Sequence, residues 1–221
     1  MEKQHFQMSD SMKVAVFIVL SGGFQDAYTY IGRGSVFANA QTGNIVLLSS
    51  SAMHGNLSGV LKYLIPILAF MLGTAISEHF RARFGESVKI HWRQLVLLCE
   101  AELLFLVGFL PQSLNPLANA VVSFVCAMQV QSFHTVYGQT YASTMCIGNL
   151  RSCVEAFCRY KRTHDRILLQ RSITYFSVIL LFALGAGTGV LLTEHLGDRA
   201  IWICCGLLII GTILMFKPED A

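Results

Sequence analysis

Six apolar stretches run along the chain: Met12 to Ile31, Leu61 to Phe80, Leu95 to Leu110, Leu117 to Tyr137, Ile167 to Leu192 and Ala200 to Phe216. Several reach about 20 residues, the length at which a helix crosses a hydrocarbon layer of roughly 30 Å. Two further pieces, Val36 to Met53 and Tyr141 to Phe157, are apolar but interrupted, and they read poorly as ordinary spans. The first carries Gln41-Thr42-Gly43-Asn44. The second carries Cys146-Ile147-Gly148-Asn149, placed 105 residues further on, close to half the chain. A duplicated polar break within apolar sequence is how many membrane transporters mark a substrate site.

Composition fixes the solvent. Apolar residues make up 54% of the 221 residues, charged residues only 13%, and the mean hydropathy is +0.55. A water-soluble domain of that composition would lack the polar surface to cover itself, so the chain is an integral membrane protein whose first partner is the lipid bilayer. Nothing in the charge pattern points to a nucleic-acid partner, and a homo-oligomer is compatible with the sequence.

Charge then sets the topology. Arg81, Arg83, Lys89 and Arg93 form one basic loop, and Arg159, Lys161, Arg162 and Arg166 form another. Both face the cytoplasm by the positive-inside rule, and Lys3 and Lys13 place the N-terminus there too. The connection at Pro111 to Pro116 is uncharged and reads as external. Between it and the second basic loop the chain crosses an odd number of times, so Leu117 to Phe157 is read as one full crossing plus a broken or re-entrant segment. The same reasoning covers Met12 to Met53. The expectation is an all-α, polytopic helical membrane protein with six net crossings and both termini cytoplasmic. Its single membrane domain (1–221) holds two inverted three-crossing repeats, about 12–110 and 117–216, with broken or re-entrant segments. Gly73-Thr74 and Gly187-Thr188, each followed by a Glu-His pair, extend the repeat.

Gly22-Gly23-Phe24-Gln25-Asp26-Ala27, followed by Val36-Phe37-Ala38-Asn39-Ala40-Gln41-Thr42-Gly43-Asn44, resembles the YoaK-like bacterial membrane proteins (domain of unknown function 1275). The resemblance extends over nearly the whole chain. It implies a six-span protein of the bacterial cytoplasmic (inner) membrane and names no substrate. Ile147 departs from the pattern, standing where a Thr is expected.

Gly43 permits close backbone approach, and Thr42 and Asn44 can satisfy groups freed by a helix break. Asn39, Gln41 and Asn44 supply neutral donors and acceptors suited to a small polar solute. The competing reading makes Thr-Gly-Asn a stabiliser of a kink. Asp26 is the costliest residue, at about 2.5–3.5 kcal/mol near a helix centre, and belongs in a cavity or beside a partner. Gln131 and His134 occupy the corresponding region of the second half, so Asp26 and His134 form a candidate proton relay, although a lone intramembrane His is also a common packing residue. Glu100 and Glu102 read as interfacial carboxylates paired with Arg93.

The expected function is secondary transport of a small polar solute, with a proton as one candidate coupling ion. The substrate site is assigned to Asp26, Asn39, Gln41, Thr42, Gly43, Asn44, Gln131, His134, Gly148 and Asn149. No catalytic set, metal spacing or cofactor motif emerges. The seven cysteines show no Cys-x-x-Cys pattern and read as small apolar residues. An intramembrane enzyme, or a membrane sensor or assembly factor without transport, is the alternative.

Overall fold

The computed structural model describes residues 8–84, 92–136 and 138–216; Lys3, Lys89 and Tyr137, which enter the topology and span assignments, lie outside the described residues. The helices are α1 (Met12–Gly32), α2 (Gln41–Met53), α3 (Leu57–Phe84), α4 (Trp92–Val107), α5 (Asn115–Ser132), α6 (Cys146–Thr163), α7 (Arg166–Leu196) and α8 (Trp202–Leu214). A two-residue strand pair, Thr135–Val136 with Gln139–Thr140, is the sheet formed by the described residues. The stretches Met12–Gly32, Leu57–Arg83, Gln112–Ser132 and Arg166–Leu214 are long and apolar enough to cross a membrane. The chain is an all-α membrane protein.

Local chemistry accounts for the helix boundaries. The Ser11 hydroxyl accepts from the Val14 amide at 3.4 Å to start α1, and the Asp165 carboxylate accepts from the Ile167 amide at 2.9 Å to start α7. Asn56 caps the first turn of α3 by accepting from the Gly59 amide at 3.0 Å. Gly197, at φ +59°, ends α7 in a conformation that favours glycine. The spans expected at Leu61–Phe80 and Ile167–Leu192 lengthen into α3 and α7, at 28 and 31 residues. Those lengths correspond to about 42 and 46 Å, longer than the hydrocarbon layer.

Six helices, α1, α3, α4, α5, α7 and α8, run between two ends of a bundle. At one end Arg33, fully buried, donates to the Tyr28 hydroxyl at 2.8 Å, to the Leu110 and Val107 carbonyls at 2.8 and 3.2 Å and to Asn115 Oδ1 at 3.1 Å. It also pairs with Asp198 at 3.5 Å. This one side chain joins the C-terminal ends of α1, α4 and α7 to the start of α5. At the other end Arg93 pairs with Asp10 at 2.9 Å and donates to the Ser9 hydroxyl at 2.6 Å, while the Thr135 hydroxyl donates to Asp10 at 2.6 Å. The starts of α1 and α4 and the segment after α5 meet there.

Packing between these ends is reciprocal. Helix α1 lies along α7 as α5 lies along α3, α2 packs on α3 as α6 packs on α7, and α1 packs on α8 as α5 packs on α4. Glycines set the closest approaches. A Cβ at Gly185 would run into the Leu20 carbonyl of α1, one at Gly23 into the Phe182 carbonyl of α7, and one at Gly73 into the Phe124 carbonyl of α5. Gly187, matched to Gly73 by sequence, meets nothing within 4 Å; the close contact belongs to Gly185, half a turn earlier on α7.

This packing predicts a contrast on one helix. Gly185→Leu forces α1 from α7, at a cost above the roughly 1–3 kcal/mol usual for overpacking because the obstacle is backbone. Gly187→Leu, which meets open space, melts within a few degrees of the parent. Size-exclusion profiles and thermal unfolding of the detergent-solubilised variants check both.

Candidate functional site

The site begins where α1 ends. Beyond Arg33 the backbone turns through Gly34 and Ser35, at φ +88° and +61°, and doubles back along the helix it has just left. Two contacts fix how far it returns. The Asn39 amide donates to Asp26 Oδ1 at 2.7 Å, and Asn39 Nδ2 donates to the Gly22 carbonyl at 3.1 Å. Gly22 is the midpoint of α1, so α2 starts at Gln41 halfway along the bundle and runs back to His54, beside the start of α3.

Backbone groups freed inside an apolar bundle need partners, and the polar motif supplies them. Asn44 donates to the Phe37 carbonyl at 2.7 Å and accepts from the Phe37 amide at 3.0 Å, so one side chain closes the whole return. Gln41 braces it, accepting from Asn44 at 2.9 Å and donating to the Ala38 carbonyl at 2.8 Å. Gly43 has no side chain because a Cβ there would sit 2.8 Å from the Phe37 ring.

The second half repeats the device. Asn149 donates to the Ala142 carbonyl at 2.7 Å and accepts from the Ala142 amide at 3.3 Å, the same reach of seven residues. This loop also returns to the middle of α1, where the Thr144 methyl would lie 2.6 Å from a Cβ at Gly22. Helix α6 therefore also starts at mid-bundle.

Between the two helix starts lies a cavity of about 750 Å³. Asp26, Asn39, Gln41 and Thr42 line it from the first half, and Thr144, Cys146 and Ile147 from the second, with Phe70 and Phe182 among its mainly apolar walls. Both half-helices present their N-terminal ends, where the helix dipole carries partial positive charge. Asp26 is buried and sits between them, bonded to the loop just before α2. The side chains of the residues just before each helix, Ala40 and Met145, form no cap hydrogen bond.

A family model described as "Protein of unknown function (DUF1275)" matches residues 14–214, almost the whole chain. The chain belongs to that family. No curated protein and no solved structure matches it. In this DUF1275 protein, then, the site has to be read from its own geometry.

The geometry sorts the ten residues assigned from sequence. Asp26, Asn39, Gln41 and Thr42 line the cavity. Gly43, Asn44 and Asn149 lie in the loops and helix starts: both asparagines are buried and hydrogen-bonded to the backbone seven residues before them. Gly148 faces open space. Gln131 and His134 lie elsewhere: Gln131 donates to Glu78 at 2.8 Å, and a His134 ring nitrogen lies 3.0 Å from the Gln131 carbonyl oxygen. The Asp26–His134 relay is therefore not assembled.

One carboxylate assignment also changes. Glu100, expected at an interface with Arg93, is fully buried and accepts from Gln25 Nε2 at 2.9 Å, while Arg93 turns to Asp10. Gln25 also donates to the Ser21 hydroxyl at 2.9 Å and accepts from the Cys126 thiol at 2.7 Å. With Gln129, these residues form a polar seam through the core that the sequence motifs do not reveal. Its signal is the pairing of Gln25 with Gln129 at 104 residues, one short of the motif offset.

Asn44→Ala strands the Phe37 amide and carbonyl and costs about 1–3 kcal/mol or more. Thr42→Ala, on the cavity wall, stays within about 0.5 kcal/mol of the parent. Thermal unfolding of the two variants side by side separates loop closure from cavity lining.

Proposed function

We propose that this protein is a secondary transporter of a small polar solute, bound where the two half-helices begin. The observation that carries the reading is the cavity of about 750 Å³ shared by both helix starts and by Asp26. Discontinuous helices whose N-terminal ends meet at mid-membrane are a recurring way to hold a polar solute where water is excluded. The mainly apolar walls would accept its remainder.

In this reading α1, α3, α4, α5, α7 and α8 are the six crossings, and α2 and α6 enter from opposite faces without crossing. The reciprocal packing of the two halves supports an inverted repeat, and the positive-inside rule applied to the basic loops favours both termini in the cytoplasm of an inner membrane. An intramembrane enzyme would need an acid and a base within reach of one another. Asp26 and His134, the pair on offer, bond to different partners, which favours transport.

Topology is tested by labelling single cysteines on intact cells. His54→Cys and Ser113→Cys are expected to react with an impermeant maleimide from outside, and His164→Cys only after permeabilisation. Cytoplasmic labelling of His54→Cys would make α2 a full crossing and end the inverted arrangement.

Solute binding is tested by thermal shift of the purified protein against a library of small polar metabolites. The parent is expected to be stabilised by a subset that no longer stabilises Thr42→Trp, whose bulk fills the cavity while its own melting stays near that of the parent. Stabilisation by nothing in a broad library would turn the reading toward a sensor or assembly factor.

A further inference from the structure

Glu100 sits halfway between the two ends of the bundle. It is 1% exposed, and it stands seven residues, about 10 Å, after Arg93 and as far before Val107, whose carbonyl holds Arg33. Those arginines are the buried cations among the described residues, and each is paired at its own end, Arg93 with Asp10 and Arg33 with Asp198. The elements packed around Glu100 bring no other cation near it. Helix α1 faces it with Gln25, next to Asp26, α5 with Cys126, and α8 with Cys204 and Cys205. Helix α3 carries its titratable groups toward its ends, Lys62 and Tyr63 at one and Glu78 to Arg83 at the other, and the turn before α8 keeps Asp198 and Arg199 at the Arg33 end. On α4 itself Cys99 is partly buried and Glu102 exposed.

The bonding of Glu100 is one-sided. Its Oε1 accepts from Gln25 Nε2 at 2.9 Å, whereas Oε2 meets no donor among the described residues. Gln25 has nothing more to offer. The same nitrogen donates to the Ser21 hydroxyl at 2.9 Å, which uses both amide hydrogens, and the amide oxygen accepts from the Cys126 thiol at 2.7 Å. A carboxylate here would set one neutral donor against a full charge in an apolar core, the costly case for a buried ion. The carboxylic acid carries no charge and leaves only one O–H to be placed.

We propose that Glu100 is a proton-binding site, its carboxyl held as the neutral acid in this packing and able to give up the proton when α1 and α4 part. In that step the O–H bond breaks, its electron pair stays on the carboxylate, and the proton passes to water entering the opened seam. Two adjacent residues then link proton and solute. Gln25 holds Glu100, while Asp26 holds the loop before α2 through the Asn39 amide at 2.7 Å. A shift of α1 that disturbs one bond strains the other, so a solute beside Asp26 and a proton on Glu100 bias the same helix, and each alters the affinity for the other. That coupling rests on the transporter reading, but the proton site does not.

The test is infrared spectroscopy of the full-length purified protein in a maltoside detergent, which has no carbonyl of its own. At neutral pH the parent is expected to show the C=O stretch of a carboxylic acid. Glu100→Gln, which keeps the shape and the acceptor for Gln25, is expected to lose that band, and Asp26→Asn to keep it. Should Glu100→Gln fail to fold, an isotope label in the glutamate carboxyls of the parent decides, because the other described glutamates are exposed or half-buried. The band shifts with the label if Glu100 carries it and stays if Asp26 does. As the pH is raised, the band is expected to give way to carboxylate absorption while the protein remains folded. No acid band at neutral pH, or one indifferent to both the substitution and the label, would overturn the proposal, as would a band that persists until the protein unfolds. An assigned, titrating band beside a metabolite screen that stabilises nothing would keep the proton site and remove its coupling role, whereas stabilising solutes without the band would keep the transporter reading and remove the site.

Discussion

Everything distinctive about this chain depends on satisfying backbone groups where the solvent offers no hydrogen bonds. A helix that stops halfway through an apolar bundle exposes amides and carbonyls at several kcal/mol each. The chain makes two such stops and resolves both with an asparagine that grips the backbone seven residues before it, Phe37 for Asn44 and Ala142 for Asn149. The first is fastened to α1 as well, through Asp26 and Asn39. Without these bonds α2 and α6 would have no reason to begin at mid-bundle, and the cavity between them would not exist.

That constraint explains where the remaining polar residues went. Arg33 and Arg93 sit at opposite ends of the bundle, each tying several segments together with charge-assisted bonds. The glycines of α1, α3 and α7 are placed for backbone contact, since lipid gives helices little hydrophobic reason to associate and close packing must supply it. The middle is left for polar side chains that share the break: Gln25, Asn39, Gln129 and Thr144.

Much of this is legible in the sequence, for identifiable reasons. Span lengths follow from hydropathy, and the two motif segments stand out by being apolar yet broken. Gln41-Thr42-Gly43-Asn44 and Cys146-Ile147-Gly148-Asn149 point to one place because the local bond, asparagine to a backbone seven residues away, is encoded within each segment. Long-range pairing is what the sequence hides. Sequence places Glu100 at an interface because its nearest cationic neighbour along the chain is Arg93, whereas its partner Gln25 lies 75 residues away on another helix. A uniform offset maps His134 onto the Asp26 region, but Gln25 and Gln129 are separated by 104 residues and the motifs by 105. A shift of one residue turns a helical side chain by about 100°. The same sensitivity moves the close contact from Gly187 to Gly185.

The two breaks are alike in backbone and unlike in charge. The first loop is fastened by a carboxylate, Asp26, so the start of α2 has a negative group against its positive end. In the second, Val130 or Gln131 stands where Asp26 would be repeated, depending on which of the two offsets is applied, and Ile147 stands opposite Thr42. In the transporter reading proposed above, a ligand between two identical helix ends could bind either way round, whereas one acidic residue on one side distinguishes its ends. The two motifs thus share the asparagine bond to the backbone seven residues before it, and differ at the cavity-facing position, Thr42 against Ile147.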